Sequence, residues 1–262
     1  MEPVSLEFPS STSRNLATDA MFRRSRKNLE RDGDAEGGGV QRNELGLVTR
    51  VRQRLSKSRQ SDAATRPMFA TVCVNNVNRS MNAHEALQQA GMRVCSFGAG
   101  SVVCFPGRTP RNPRVFSFST TYKTMYETLK AEDVEHHTRT GVLKMLERNM
   151  GIKSCPQRWH KLSNKQLEDI DVVICLDSDM FITVLDDLRM RIRLCFQKTR
   201  LHVICLDTQD SVDGARSGSD LTVDLCRELE KLPELTDDLV KDTVVRFEKT
   251  RAKQLIYVGL RV

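Results

Sequence analysis

The chain has 262 residues, 39% of them hydrophobic, and a formal net charge of +7 at pH 7. That apolar fraction is enough for a packed core and excludes a wholly disordered chain. No uninterrupted apolar run approaches the roughly 18 residues of a membrane-spanning helix and no secretory leader pattern opens the chain, so a soluble intracellular protein is expected.

The composition changes near Pro67. Residues 1–67 carry 13 Lys+Arg against 9 Asp+Glu, so +4 of the +7 lies there, and Ser, Arg, Asp and Gly dominate over apolar mass. Such a stretch cannot bury enough surface to offset its ordering entropy, and a disordered basic tail is expected over 1–67. Its cluster of Arg23, Arg24, Arg26 and Lys27 is a candidate nuclear address. Glu2, Glu7, Asp19 and Glu30 argue against a mitochondrial transit peptide, which is poor in acidic residues. Residues 68–262 are expected to fold as one domain, mildly basic and not built to bind nucleic acid directly.

Apolar residues 68–72 predict a short buried strand, followed by a polar turn at 75–78 and a helix over 80–90 stopped at Gly91. Residues 92–97 predict a second strand, broken by Gly98 and Gly100. Pro106, Pro110 and Pro113 make 102–118 an extended, largely irregular connection of the kind that often serves as a lid. Helices are expected at 120–131 and 138–150, then a loop around Pro156 and Trp159. The β-branched run 172–176 suits a central parallel strand, followed by a helix at 179–194 and a similar strand at 201–206. A loop over 207–218, helices at 219–231 and 236–252 and a last strand at 254–260 complete the chain. Strands alternating with helices predict an α/β domain with a mostly parallel sheet flanked by helices, whose ligands bind beyond the carboxyl ends of the strands.

Eight cysteines include no C-x-x-C pair, and the five histidines lack zinc spacing, so no metal or other cofactor is expected. Most of the thiols sit in strand-like runs such as VVICLD (Cys175) and HVICLD (Cys205), where cysteine behaves as a small buried hydrophobe. Cys73 differs, because it alone is followed by Arg six positions on, at a strand-to-helix turn. The loop Cys73, Val74, Asn75, Asn76, Val77, Asn78, Arg79 is followed by Ser80. It offers backbone N–H groups, a helix N-terminus and a bidentate cation, the three things a phosphate monoester needs around it. The helix terminus and Arg79 favour a thiolate at Cys73, and Ser80 can donate a hydrogen bond to it. A departing oxygen also needs an acid from another loop, and Asp207 and Asp210 stand at a strand end where either could serve.

These segments resemble a known family, the nuclear phosphatases that act on the C-terminal heptad repeats of RNA polymerase II in mRNA 3′-end processing and transcription termination. The resemblance runs over nearly all of 68–262 and rests on CVNNVNRSM, RVCSFGAGS, FPG, FSTTYKTMYETL, GVLKMLERN, PQRW and VDLCREL. It implies a fold like the low-molecular-weight tyrosine phosphatases with additional elements. The implied reaction is metal-free hydrolysis of phosphoserine followed by a cis proline, through a phosphocysteine. By position it makes Cys73 the nucleophile, Arg79 the phosphate clamp and Ser80 the thiolate partner. Asp210 becomes the general acid and Asp207 the neighbouring carboxylate that raises its pKa. Gly100, Phe105, Pro106, Gly107 and Met145 fall at substrate-groove positions. Nuclear localisation, a phosphopeptide of the polymerase C-terminal domain and a symplekin-like scaffold follow as expected location and partners.

The chain departs from the family pattern at Ala99 (threonine), Cys104 (lysine), His137 (tyrosine), Asn75 (serine) and Val77 (glutamine). Two other readings stay open on the residues alone. One is a low-molecular-weight type tyrosine phosphatase or arsenate reductase, although those place their acid in an Asp-Pro pair and Asp210 precedes Ser211. The other is a catalytically idle scaffold, which would normally have lost the nucleophile or the arginine.

Overall fold

The computed structural model describes residues 66–109, 111–194 and 200–260. The expected basic tail, apart from Arg66 and Pro67, lies outside the described residues, as does Cys195. Strands β1 (Met68–Cys73), β2 (Arg93–Gly98), β5 (Val172–Cys175), β6 (Leu201–Cys205) and β7 (Ile256–Leu260) form one sheet in the order β2-β1-β5-β6-β7. The first four are parallel and β7 closes one edge antiparallel to β6. Short strands β3 (Val103–Phe105) and β4 (Arg114–Phe116) pair separately as an antiparallel hairpin.

The central strands are apolar on both faces because helices cover both. In β1 the period-two alternation sends Ala70 and Val72 to one side, where they join Phe97, Trp159, Val173 and Val203. Phe181, Val184 and Leu188 of α5 (Ser178–Arg193) complete that side. Phe69 points the other way, into a layer with Ile174, Ile204 and Leu87 of α1 (Arg79–Gln89). Leu225 and Cys226 of α6 (Val212–Glu230) and Val244 and Phe247 of α7 (Asp237–Arg251) belong to the same layer. Trp159 anchors its loop: it is fully buried, meets Phe97 edge-on at 5.9 Å, and its Nε1 donates to Asp187 at 2.9 Å. A third cluster stands off the sheet and joins Val77 and Met81 to Val103 and Phe105 of β3. It also takes in Tyr122, Met125 and Leu129 of α2 (Tyr122–Arg139) and Val142, Met145 and Leu146 of α3 (Val142–Ile152). This cap covers the end of the sheet at which β1 stops.

Four elements differ from expectation, each for a local reason. The connection 102–118 is not irregular throughout, since β3 and β4 are only three residues each and too short for an alternating pattern to register. The helix expected to stop at 131 continues to Arg139 across a kink at Asp133, whose carboxylate accepts from His136 N at 3.0 Å and caps the second half. A five-residue helix, α4 (Asn164–Glu168), escapes any periodicity argument, although the reciprocal cap between Ser163 and Gln166 marks its start. The loop expected over 207–218 is short, because α6 begins at Val212 with Ser211 as its N-cap.

Gly214 and Gly218 look like helix breakers, but they are sites of close approach. A Cβ on Gly218 would lie 2.4 Å from Thr208 Cγ2, and one on Gly214 would lie 2.5 Å from Gln209 O. The glycines let α6 pack directly on the loop that leaves β6. Gly218→Ala should therefore destabilise the fold. Overpacking of about 1–3 kcal/mol outweighs the roughly 1 kcal/mol gain in helix propensity, so thermal denaturation should show a Tm lower by a few degrees. An unchanged or raised Tm would contradict the close packing.

Candidate active site

β1 ends at Cys73, which is buried, and the chain turns through five residues into α1. Asn76 sits at the bend in the left-handed region, φ 54°, which asparagine tolerates better than most residues. Its fully buried amide is held on both sides: Nδ2 donates to Ser80 Oγ at 3.0 Å, and Oδ1 accepts from Gln157 N at 2.9 Å. The loop's carbonyls turn outward into the surrounding protein. Cys73 O accepts from Ala99 N at 2.9 Å, Val74 O from Gly100 N at 3.0 Å, Asn76 O from Tyr122 Oη at 2.6 Å and Val77 O from Asn149 Nδ2 at 2.9 Å. In a trans peptide the N–H opposes the carbonyl before it, so the N–H groups of Val74, Asn75, Val77 and Asn78 are turned to the inside of the bend. A concave row of N–H groups at a helix N-terminus is a ready anion cradle.

Ser80 Oγ lies 3.0 Å from Cys73 Sγ, and Thr71 Oγ1 holds the Ser80 carbonyl at 2.8 Å. Arg79 is 5% exposed. Its Nη1 donates at 2.9 Å to both Leu176 O and Thr208 O, at the ends of β5 and β6, and Nη2 donates to Asp177 Oδ2 at 2.8 Å. Nη2 also stands 3.3 Å from Asp210 Oδ2, while Nε is buried with no partner. Burial disfavours the cation, but Asp210, Cys73 and Asp177 around it outweigh burial and hold the guanidinium charged. The unpaired Nε and its neighbouring Nη2 are the two adjacent donors a phosphate would take.

Asp210 enters from the loop between β6 and α6, its Oδ1 accepting from Asn78 Nδ2 at 2.9 Å. Burial raises its pKa above the usual carboxylate range and Asp177 adds to the rise, against the opposing pull of Arg79 and Asn78. A carboxyl whose burial favours its protonated form is the kind of group that can give a proton to a departing oxygen.

The structure places Cys73, Val74, Asn75, Asn76, Val77, Asn78, Arg79, Ser80 and Asp210 together, from β1, α1 and the loop after β6. Asp207 stands apart: it is exposed and does not figure among the groups that shift Asp210. The neighbouring carboxylate is Asp177, whose other oxygen caps α5 through Asp179 N and Met180 N. The signal was present in the repeated strings VVICLD and HVICLD, which put an aspartate at the end of both strands. β5 lies next to β1, and the aspartate that follows it, Asp177, reaches Arg79; after β6 it is Thr208 O and Asp210 that reach Arg79, while Asp207 is exposed. Tyr122, Asn149 and Gln157, which hold the loop's shape, lie within the strings FSTTYKTMYETL, GVLKMLERN and PQRW, but nothing local in the sequence gives them that role.

Of the expected groove residues, Gly100 lies against the loop, where a Cβ would come 2.9 Å from Val74 O. Phe105 and Met145 are buried in the cap cluster, with Phe105 edge-on to Phe116 at 5.8 Å. Pro106 and Gly107 are half-buried at the start of the hairpin connection. The departures are partly explained: Asn75 bonds both backbone atoms of Cys104, Nδ2 to O at 3.0 Å and Oδ1 from N at 3.2 Å, and so joins loop to hairpin. His137 is buried with Nδ1 unpaired. Cavities of about 510 Å³, beside Phe118, Gln157 and Arg158, and about 660 Å³, beside Gly107, Arg108 and His136, adjoin segments of this cap. No group of three or more His, Cys, Asp or Glu among the described residues is placed to hold a metal ion.

Known proteins are similar to this chain in sequence and fold. The family model described as Ssu72-like protein matches residues 67–260. A human relative, the RNA polymerase II C-terminal domain phosphatase SSU72 like protein 3, is 37% identical over 188 residues, covering 72% of this chain and 93% of its own. Among solved structures, the serine phosphatase of the RNA polymerase II CTD from Drosophila melanogaster superposes with a TM-score of 0.68 at 29% identity, over 74% of this chain and 99% of that one. Drosophila melanogaster Ssu72 with Symplekin, bound to a cis peptidomimetic CTD phospho-Ser5 peptide, gives 0.66 at 27% identity, over 74% and 97%. A match through β1, the loop, the cap and β7 leaves one conclusion: this chain belongs to the Ssu72 family.

Proposed function

We propose that this protein removes phosphate from serine–proline sites of the RNA polymerase II C-terminal repeats, with Cys73 as nucleophile. The observation that carries this reading is the meeting of three groups at one strand-end edge. They are a buried thiol 3.0 Å from a serine hydroxyl, a buried guanidinium with a free Nε, and a carboxyl of raised pKa. In the first step the Cys73 thiolate forms a bond to phosphorus as the bond to the serine oxygen breaks, and Asp210 gives its proton to that oxygen. In the second, Asp210 as carboxylate takes a proton from water, the water oxygen bonds phosphorus, and the sulfur leaves as a thiolate hydrogen-bonded by Ser80. Arg79 and the inward N–H groups hold the equatorial oxygens throughout.

The peptide choice is supported by the Drosophila relative with a bound cis phospho-Ser5 peptidomimetic. The same complex supports a symplekin-like scaffold as partner, and relatives named as RNA polymerase II C-terminal domain phosphatases support a nuclear role. The direct test is turnover of serine–proline phosphopeptides against phosphotyrosine peptides, with and without a proline isomerase. A preference for phosphotyrosine would overturn the substrate assignment.

Four further outcomes are expected from the geometry. Cys73→Ser should abolish turnover while a chelator leaves the wild-type rate unchanged, as measured by phosphate release. Arg79→Lys should lose about 10²-fold or more in kcat/KM, because a point-charge ammonium cannot replace two adjacent donors. Asp210→Asn should cut kcat strongly on serine phosphopeptides and much less on an activated aryl phosphate, whose leaving group scarcely needs a proton. Since Asp177 raises the Asp210 pKa, removing that charge lowers it. Asp177→Asn should therefore move the alkaline limb of the serine-peptide profile to lower pH, whereas Asp207→Asn should leave it in place.

A further inference from the structure

Behind the loop lies a cation that the reaction as described does not use. Lys153 follows α3, and its Nζ donates to Ser96 O at 2.7 Å, Ser96 Oγ at 3.0 Å and Gln157 Oε1 at 3.0 Å. Three neutral acceptors saturate the ammonium's three donors, and among the described residues no carboxylate pairs with it. A largely desolvated ammonium without a counter-ion is costly, so its position calls for a reason beyond packing.

The acceptors supply that reason, because they lead to the nucleophile. Gln157, held by Lys153 through its side chain, donates its backbone N–H to Asn76 Oδ1 at 2.9 Å. Asn76 Nδ2 in turn donates to Ser80 Oγ at 3.0 Å, and that oxygen faces Cys73 Sγ at 3.0 Å. A second route runs through the sheet. Ser96 is in register with Thr71, whose hydroxyl holds the Ser80 carbonyl at 2.8 Å. Both routes end on Ser80.

We propose that Lys153 is a positioning residue for phosphate hydrolysis, its ammonium orienting the Ser80 hydroxyl toward Cys73 through Gln157 and Asn76 and placing a positive charge behind the loop. The inference rests on the reading of Cys73 as nucleophile. The groups facing Lys153 are His84 from α1, Cys95 from β2, Cys73 at the end of β1 and Cys155 of its own loop; Tyr122 of α2 packs on the same loop through Tyr122 N to Ser154 O. Burial and Lys153 hold His84 down at about 4, and burial pushes Cys95 up to about 12 and raises Tyr122, so these three do not change charge between pH 6 and 9. Burial brings Lys153 itself down to about 8, so its charge changes within that interval.

The experiment is a set of kcat and KM profiles from pH 6 to 10 on an activated aryl phosphate, which minimises dependence on Asp210. It uses the full chain and its Lys153→Met, Lys153→Arg, Gln157→Ala and Cys73→Ser variants. Wild-type kcat should fall as pH rises through about 8, and Lys153→Met should lower kcat about tenfold with little change in KM and remove that inflection. Lys153→Arg, charged throughout, should recover kcat and keep it above pH 8. Gln157 is exposed, so Gln157→Ala should fold normally and still lower kcat several-fold. A Lys153→Met or Gln157→Ala profile superimposable on wild type, with Cys73→Ser inactive, would overturn the role of Lys153 alone. Turnover by Cys73→Ser would instead overturn the reading of the site on which it rests.

Discussion

A guanidinium buried at the carboxyl edge of the sheet sets where the other parts of the site stand. Arg79 is the first residue of α1, yet its side chain runs beneath the sheet ends to carbonyls at the ends of β5 and β6 and to the carboxylates that follow. A cation taken out of water must find acceptors for nearly all its N–H groups, and a planar fork demands them in fixed directions. Three chain segments distant in sequence are thus tied to one rigid object. Within so complete a set, Nε alone is left buried and unbonded.

The cap answers a different constraint. A turn with an asparagine at positive φ and its carbonyls facing outward is unstable unless something outside receives those carbonyls. Tyr122, Asn149, Arg148 and the backbone of Ala99 and Gly100 do so. The third apolar cluster exists beside the sheet because these donors must be held in place. The Asn75 pair with Cys104 extends the same frame to the hairpin, using backbone atoms that are indifferent to the side chain at 104.

The sheet and the meeting of Cys73 with Arg79 were legible because each rests on local pattern: β-branched runs, a strand-to-helix turn, and a cysteine and arginine at fixed spacing. Local pattern left Asp207 and Asp210 equal, and only the family resemblance chose Asp210. The role of Asp177 was not legible, since it depends on strand order, and a sequence that repeats the same string at two strand ends does not say which strand is nearer β1. The early start of α6, in place of a loop running to 218, was hidden for a related reason. A glycine's local meaning is a break, and only the position of Thr208, across a tertiary contact, makes it a place of close packing. The supports of the loop, Tyr122, Asn149, Gln157 and Lys153, are ordinary residues in ordinary helices and loops until the fold brings them under it.

The register of β1 has a consequence for how the chain acquires its site. The strand carrying Cys73 pairs with β2 nearby, but also with β5, in the register Phe69 with Val172. Arg79 then waits for Leu176 and Thr208, and Asn78 for Asp210. Contacts of such sequence separation form slowly, because the intervening loop must close before they reward it. During synthesis the thiol therefore emerges long before its clamp can be satisfied. Until the second half of the chain has folded onto the first, Cys73 lies on a strand with one edge unpaired, beside an arginine without its acceptors, open to oxidants and to neighbouring chains.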